Sequence, residues 1–446
     1  MFKKFFVFFI CILFLSGCSA PVVKKKSPEL TAYENMINRS LFFEGNTERI
    51  KDKLQKAKRG EKVIVAYLGG SVTEGFGVEK NKNYARISFD KLVDFIGKKA
   101  NLEYINIGIS GTDSVFGNAV ADKEILSKNA DIIFIEYATD DKPEQNYRES
   151  FESLIRNCLK NLNNPAVILL ISCNDKGVSR QDFMIQLGKY YNLPVISVAN
   201  AVIPEISASR MKTVDYFTDN IHPTEYGHGL IADFIMNYIK KACKSKQNGA
   251  FEIPQRMYPK SIIENMKFIG AKNLHADNDG SFVRKDIKDG TLFKDIAEYL
   301  SNTGNKPFEF SLFTNNLYLI VPSYKNEKSV ADVFINDKKT VTVNLKSDNE
   351  FDSPKAVLLY SSEKPSSLKV SVKVIDETEN KATYAELPQE EQTKIPDKSF
   401  ESNISELNFP EEEQVFQIKK KNKNSENTVP FAFYGISYSK IADEKE

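Results

Sequence analysis

Two short segments carry the groups whose types and spacing best suit moving a proton or attacking an acyl carbon. The first reads Tyr67-Leu68-Gly69-Gly70-Ser71-Val72-Thr73-Glu74-Gly75. Glycines on both sides of Ser71 let the backbone turn sharply, so the hydroxyl can be presented at the carboxyl end of a strand as a nucleophile. The same composition also suits a plain strand-to-helix turn with Ser71 as its N-cap. No Gly-Lys-Ser/Thr follows at the required spacing, which argues against a phosphate-binding loop. A serine hydroxyl needs a base to take its proton, and the chain has three histidines: His222, His228 and His275. His222 lies in Asp219-Asn220-Ile221-His222-Pro223. A carboxylate three residues ahead of an imidazole can turn back, accept from its ring N–H, fix the tautomer and stabilise the imidazolium. Alone, Asp-x-x-His-Pro is also an ordinary turn, because Asp and Pro are turn formers. Its weight comes from co-occurrence with Ser71.

Other candidate groups call for structural roles first. His228, in Tyr226-Gly227-His228-Gly229, falls near the start of a helical pattern, where packing or capping is the first expectation. His275 precedes an acidic turn containing Asp277, Asn278 and Asp279, which lacks the EF-hand spacing with its terminal Glu. The run Lys419-Lys420-Lys421 follows acidic residues and has no interleaved aromatics, so a solvated face is expected rather than a nucleic-acid contact.

The elements that must position Ser71 and His222 follow from the apolar pattern. Short Val- and Ile-rich runs at 63–68, 103–107, 131–137, 167–172 and 195–198 alternate with helically spaced stretches at 84–99, 147–161, 180–191 and 226–242. Nearly continuous apolarity suits strands covered on both faces, hence a parallel α/β sheet. That domain is expected over 31–247. Beyond it the texture changes. Between 308 and 374 strands with period-two alternation are separated by turns such as Asn336-Asp337-Lys338, which predicts a smaller all-β, sandwich-like domain over 248–446. The stretch at about 377–428 is dense in Glu, Lys, Asn and Pro and is expected to lack fixed structure. Strand character returns at 431–439, so the β domain is expected to close with a strand from beyond that insertion.

Composition sets the outer limits. The 446 residues are 41% hydrophobic and 27% charged, enough for two domains, and 61 Lys+Arg against 60 Asp+Glu leave no global charge favouring nucleic acid. Trp is absent, so any sugar platform would rest on the 19 Tyr and 31 Phe. At the N-terminus, Lys3 and Lys4 precede an apolar run that is shorter than the roughly 20 residues a membrane-spanning helix needs. Leu15-Ser16-Gly17-Cys18 then resembles a bacterial lipoprotein box. That resemblance implies a signal peptide over 1–17, acylation of Cys18, a tether over 18–30, and a chain anchored to a bacterial membrane outside the cytoplasm. Cys158, Cys173 and Cys243 have neither a disulfide pattern nor zinc spacing and are expected as buried apolar residues.

Taken in order, four blocks resemble the SGNH hydrolase superfamily, also called GDSL-like esterases, over roughly 63–246. Gly69-Gly70-Ser71-Val72-Thr73-Glu74-Gly75 is similar to its nucleophile block, and Asn106-Ile107-Gly108-Ile109-Ser110-Gly111-Thr112 to its second block. The resemblance implies a three-layer α/β/α, flavodoxin-like domain. It also implies an oxyanion hole with amides from Ser71 and Gly111, and Asp219 and His222 as acid and base. The third block departs from the pattern: Glu136-Tyr137-Ala138-Thr139-Asp140-Asp141 places Asp140 where the family has an oxyanion-hole Asn. An amide donates to a developing oxyanion, whereas an ionised carboxylate only accepts, and loss of one such donor costs about two to three powers of ten in rate. Three outcomes stay open: Asp140 held protonated, a slow site working on two amides, or lost hydrolysis. The resemblance implies a serine esterase that deacylates a carbohydrate or cell-envelope glycan without metal or organic cofactor. A glycan O-acyltransferase and a catalytically impaired binding lipoprotein are the alternatives. Oligomeric state is not legible.

Overall fold

A computed structural model describes residues 28–246, 249–259, 263–287, 297–301, 306–325, 327, 329–347, 352–375 and 430–440. The expected signal peptide, Cys18, nearly all of the tether and the insertion at about 377–428 lie outside the described residues.

The apolar runs of the first half form strands β2 (Val63–Gly69), β3 (Leu102–Gly108), β4 (Ile132–Glu136), β5 (Ala166–Ile171) and β6 (Val195–Ser197), all parallel. A short strand β1 (Leu41–Phe43) adds antiparallel to β6, giving the order β1-β6-β5-β4-β2-β3. The chain therefore leaves β2 for β3 on one side and returns to β4 on the other. This reversal opens a crevice at the carboxyl end of β2, where doubly wound sheets bind ligands.

Because side chains alternate across a strand, β2 divides between two cores. Val63, Val65 and Tyr67 pack with helices α1 (Pro28–Ser40), α2 (Glu48–Lys58), α4 (Tyr84–Ile96), α8 (Val198–Ser207) and α10 (Glu225–Lys244). Ile64, Ala66 and Leu68 pack with the end of α5 (Ser114–Ala121) and its π-helical continuation Asp122–Leu126, and with α6 (Gln145–Leu159) and α7 (Gln181–Tyr190). Two short helices, α3 (Ser71–Glu74) and α9 (Thr213–Tyr216), flank the carboxyl edge of the sheet. The result is a three-layer α/β/α domain. Cys158 and Cys173 are buried free thiols, and burial pushes both up to about 12. Among the described residues no helix is long and apolar enough to cross a membrane.

A second, all-β domain follows. Its larger sheet has the order β12-β11-β13-β10-β15-β7, from β7 (Met266–Gly270), β10 (Phe308–Ser323), β11 (Val330–Ile335), β12 (Lys338–Asn344), β13 (Ser353–Ile375) and β15 (Gly435–Ser439). The smaller sheet joins β14 (Ala432–Phe433), β9 (Ala297–Ser301) and β8 (Phe282–Asp286). All pairings are antiparallel. The β11–β12 turn places Asn336 and Asp337 at φ 51° and 65°, the left-handed pair that a two-residue hairpin needs. The strand character at 431–439 appears as β14 and β15, and β15 lies inside the larger sheet between β10 and β7.

The two domains share an apolar layer. Phe116, Ala119 and Val120 of α5, with Ile109, pack against Met266, Phe268, Tyr318, Ile320 and Tyr434 of the β domain. Asn265 donates its amide to Asn157 Oδ1 at 3.0 Å, and Arg156 pairs with Glu264 at 2.9 Å along the same boundary. Ile109, in the loop that follows β3, belongs to this shared layer.

Candidate active site

Ser71 stands at the carboxyl end of β2 and opens α3. Gly69 and Gly70 are required by close approach: a Cβ on Gly69 would lie 2.1 Å from Thr73 Oγ1, and one on Gly70 would lie 2.3 Å from Asp140 Oδ2. Gly75, at φ 89°, ends α3 in the left-handed region. The sharp strand-to-helix turn expected from the glycines is thus built, with Ser71 at its apex and only 4% exposed. The Ser71 amide is one of the first N–H groups of a helix, which have no intrahelical acceptor.

His222 reaches Ser71 from the other end of the domain. Its Nε2 lies 2.8 Å from Ser71 Oγ, and its Nδ1 lies 2.6 Å from Asp219 Oδ2. The loop sets this geometry locally. Asp219 Oδ1 accepts the amides of Ile221 and His222, both at 2.7 Å, which turns the second oxygen toward the ring. The His222 carbonyl accepts from the Thr218 amide and hydroxyl at 2.9 and 3.1 Å, and Phe217 bridges Pro223 across the small loop. Partial burial alone would raise the Asp219 pKa, but the amides of His222 and Ile221 and the imidazole outweigh it, so the group is held below its ordinary value and stays a carboxylate. With Asp219 accepting at Nδ1, that nitrogen carries the proton and Nε2 is left as the base facing Ser71.

Gly111 lies in the loop after β3 at φ 75°, a conformation that favours glycine. Contacts that give single residues little prominence in sequence hold this loop in place. Asn106 donates to the Thr73 carbonyl at 2.9 Å and accepts the Gly108 amide at 2.8 Å. Glu74 accepts the Ser110 amide at 2.7 Å and also the Ser110 hydroxyl. From the β domain, Ser353 Oγ donates to the Gly111 carbonyl at 3.5 Å. Asn106 and Glu74 both fall inside the quoted blocks, but their positioning roles depend on contacts between β2 and β3 that no linear pattern displays.

Asp140 is half-buried beside Gly70, above Glu136. Burial pushes its carboxyl well above the usual range, and the charges of Glu136 and Asp113 push it further. Glu136 is fully buried and accepts from Ser172 Oγ, from Thr73 Oγ1 at 3.1 Å and from the Ala138 amide at 3.3 Å. His228 is brought to the periphery, not to the reacting groups. It is buried, its Nδ1 accepts the Tyr84 amide at 3.1 Å, and so it caps the start of α4. Burial, then the neighbouring His222, lowers its pKa to about 4. Sequence reasoning missed Phe76, whose ring centroid lies 4.6 Å from that of His222 while the residue remains 42% exposed. In the acidic turn after His275, Asp277 accepts from Ser311 at 2.6 Å and Asn278 from the Gly280 amide at 3.0 Å. These are structural bonds within the β domain.

The comparisons with known proteins agree with this architecture. Residues 65–235 match the GDSL-like lipase/acylhydrolase family. Comparison with curated proteins gives no match. Among solved structures, the chain is similar to a two-domain esterase (CEX) active on acetylated mannans, with TM-score 0.70 and 21% identity over 90% of this chain and 98% of that one. The same esterase co-crystallised with mannopentaose gives TM-score 0.65 and 22% identity over 90% and 97%. At such identity the likeness is one of fold, and it extends through both domains. Residues 65–235 of this chain are therefore a member of the GDSL-like lipase/acylhydrolase (SGNH) family, joined to a second, all-β domain.

Proposed function

We propose that the protein is a serine esterase that removes acetyl groups from a carbohydrate. The observation that carries this reading is the continuous chain Asp219 Oδ2, His222, Ser71 Oγ, with links of 2.6 and 2.8 Å. Ser71 Oγ attacks the acyl carbon while His222 Nε2 takes its proton, and the carbonyl π electrons move to oxygen to give a tetrahedral oxyanion. The amides of Ser71 and Gly111 face that charge. Collapse expels the sugar oxygen, which receives the proton from His222 and leaves an acetyl-Ser71 ester. Water, deprotonated by the same imidazole, repeats the sequence, releases acetate and restores Ser71. Asp219 holds the ring and offsets its charge when protonated. No step calls for a metal or an organic cofactor.

The carbohydrate part rests on the two-domain likeness to an esterase active on acetylated mannans. The exposed Phe76 ring beside His222 adds an apolar face suited to the C–H surface of a sugar. Acetate release from acetylated mannan, measured for the wild type and Ser71→Ala, tests the proposal. Loss of about four powers of ten or more in the variant is expected, and an unchanged rate would overturn it.

The same proposal places the enzyme in the cell envelope, anchored through an acylated Cys18 and facing away from the cytoplasm. Acyl chains rather than charge would hold it there, since the chain is close to neutral. Incorporation of labelled palmitate into the wild type, absent from Cys18→Ala, tests the anchor; equal labelling of both would contradict it.

A further inference from the structure

We propose that Asp140 works as a neutral carboxylic acid whose O–H completes the oxyanion hole, and that its ionisation shuts the site on the alkaline side. The inference rests on the serine esterase reading and deepens it.

The Asp140 carboxyl lies against the Cα of Gly70, since a Cβ there would meet Oδ2 at 2.3 Å and Oδ1 at 2.6 Å. The next peptide carries the Ser71 amide. The carboxyl thus stands beside the first oxyanion donor, on the residue that replaces the family's Asn.

Its surroundings decide its charge. Thr139 Oγ1 donates to Oδ2 at 3.4 Å, and among the described residues no cation or backbone amide reaches the carboxyl. The groups around it are acids or phenols. Glu136 comes from β4, Asp113 caps α5, Asp141 follows in the chain, and the buried Tyr137 phenol lies close enough to feel the Asp140 charge. Like charges confined together cannot all ionise, and the charge settles where donors are most numerous. Glu136 has three donors, from Ser172, Thr73 and Ala138. Asp113 has the Phe116 amide at 3.0 Å and the nearby charge of Lys142, and Asp141 has the Ser114 amide at 2.8 Å. Asp140 has one weak hydroxyl donor and keeps its proton, leaving Oδ1 to carry it. Burial pushes all four carboxyls upward, Asp140 and Asp141 furthest, and the charges of Glu136 and Asp113 add to the rise at Asp140; what distinguishes Asp140 is its lack of an amide donor. A neutral acid donates one hydrogen bond, as the amide of an Asn does.

The sign follows. The protonated form is the donor, so the rate is retained below the folded pKa of Asp140 and falls as pH rises through it. The test compares acetate release against pH for the wild type, Asp140→Asn and Asp140→Ala, with Ser71→Ala in parallel. A carboxyl-¹³C NMR titration of Asp-labelled wild type accompanies it, with Asp140→Asn assigning the resonance. The wild type is expected to lose rate on the alkaline side at the pH where the Asp140 resonance titrates. Asp140→Asn should keep its rate beyond that pH, and Asp140→Ala should be slower by about two powers of ten across the range. A shared alkaline limb in wild type and Asp140→Asn, a fast Asp140→Ala, or titration of Asp140 in the ordinary aspartate range would each overturn the inference. A rate that survives Ser71→Ala would instead overturn the esterase reading, and the NMR titration would still decide whether Asp140 holds its proton.

Discussion

The carboxyl of Asp140 occupies the space that a side chain at Gly70 would need, with Oδ2 only 2.3 Å from an ideal Cβ at that position. Gly70 has φ −88°, which any residue adopts, so its requirement is one of space and not of backbone strain. Gly70→Ala should therefore fold and displace Asp140, lowering kcat by about two powers of ten. In an Asp140→Ala background the same substitution should cost much less, because the two changes remove one interaction. Additive losses in that cycle would separate the two residues.

Asp219→Asn tests the third member of the hydrogen-bonded chain. Its side-chain oxygen can still accept the Ile221 and His222 amides, so the loop is kept, while the favoured ring tautomer is lost. The expected result is a fall in kcat of about three to four powers of ten with little change in Tm. A comparable fall in thermal stability would assign Asp219 to the loop rather than to the reaction.

His228 predicts an acid limit to stability. Its folded pKa is lowered to about 4 from 6.5, so the unfolded chain binds the proton that the folded chain refuses. Stability is lost as pH falls between those values, by about 3 kcal/mol in total. Denaturant titrations at pH 7 and pH 4 should show this loss, and His228→Gln, which can still accept the Tyr84 amide, should show less of it. An equal loss in both would place the acid sensitivity elsewhere.

The β domain supports the loop that carries Gly111. Tyr318, 5% exposed, packs in the layer shared with Ile109 and Phe116. Tyr318→Ala should destabilise the protein by about 3 kcal/mol. By loosening that loop it should also lower kcat about tenfold. Denaturant melts and acetate release, measured together, check both parts; loss of stability with an unchanged kcat would confine the β domain to a structural role.

The parallel sheet was legible because β2, β4 and β5 are buried on both faces, so each reads as an unbroken apolar run. Helices α4, α6, α7 and α10 were legible from their amphipathic spacing. The sequence reading assigned no element to the segment before β2, although Ile50, Leu54 and Ala57 of α2 share one helical face. Its abundant lysines hid that stripe. Helix α5 was missed for the opposite reason. It is covered by the sheet on one side and by the β domain on the other, so nearly all of its side chains are buried and it has no polar face to set a period. At the site, His222 stood out because the chain has three histidines, Asp219 because it lies three residues ahead of His222, and Ser71 because its strand-end segment is rich in glycine. The environment of Asp140 did not, because Asp113 precedes α5 and the side-chain donors to Glu136, Ser172 and Thr73, come from the end of β5 and from α3, which only the folded sheet brings together.

Reaction with an alkyl p-nitrophenyl phosphonate, followed by peptide mass analysis, asks directly which atom attacks. A single adduct on the peptide containing Ser71, formed far more slowly in His222→Ala, is the predicted result. Modification at another residue, or equal labelling of Ser71→Ala, would contradict the assignment of Ser71 as the nucleophile.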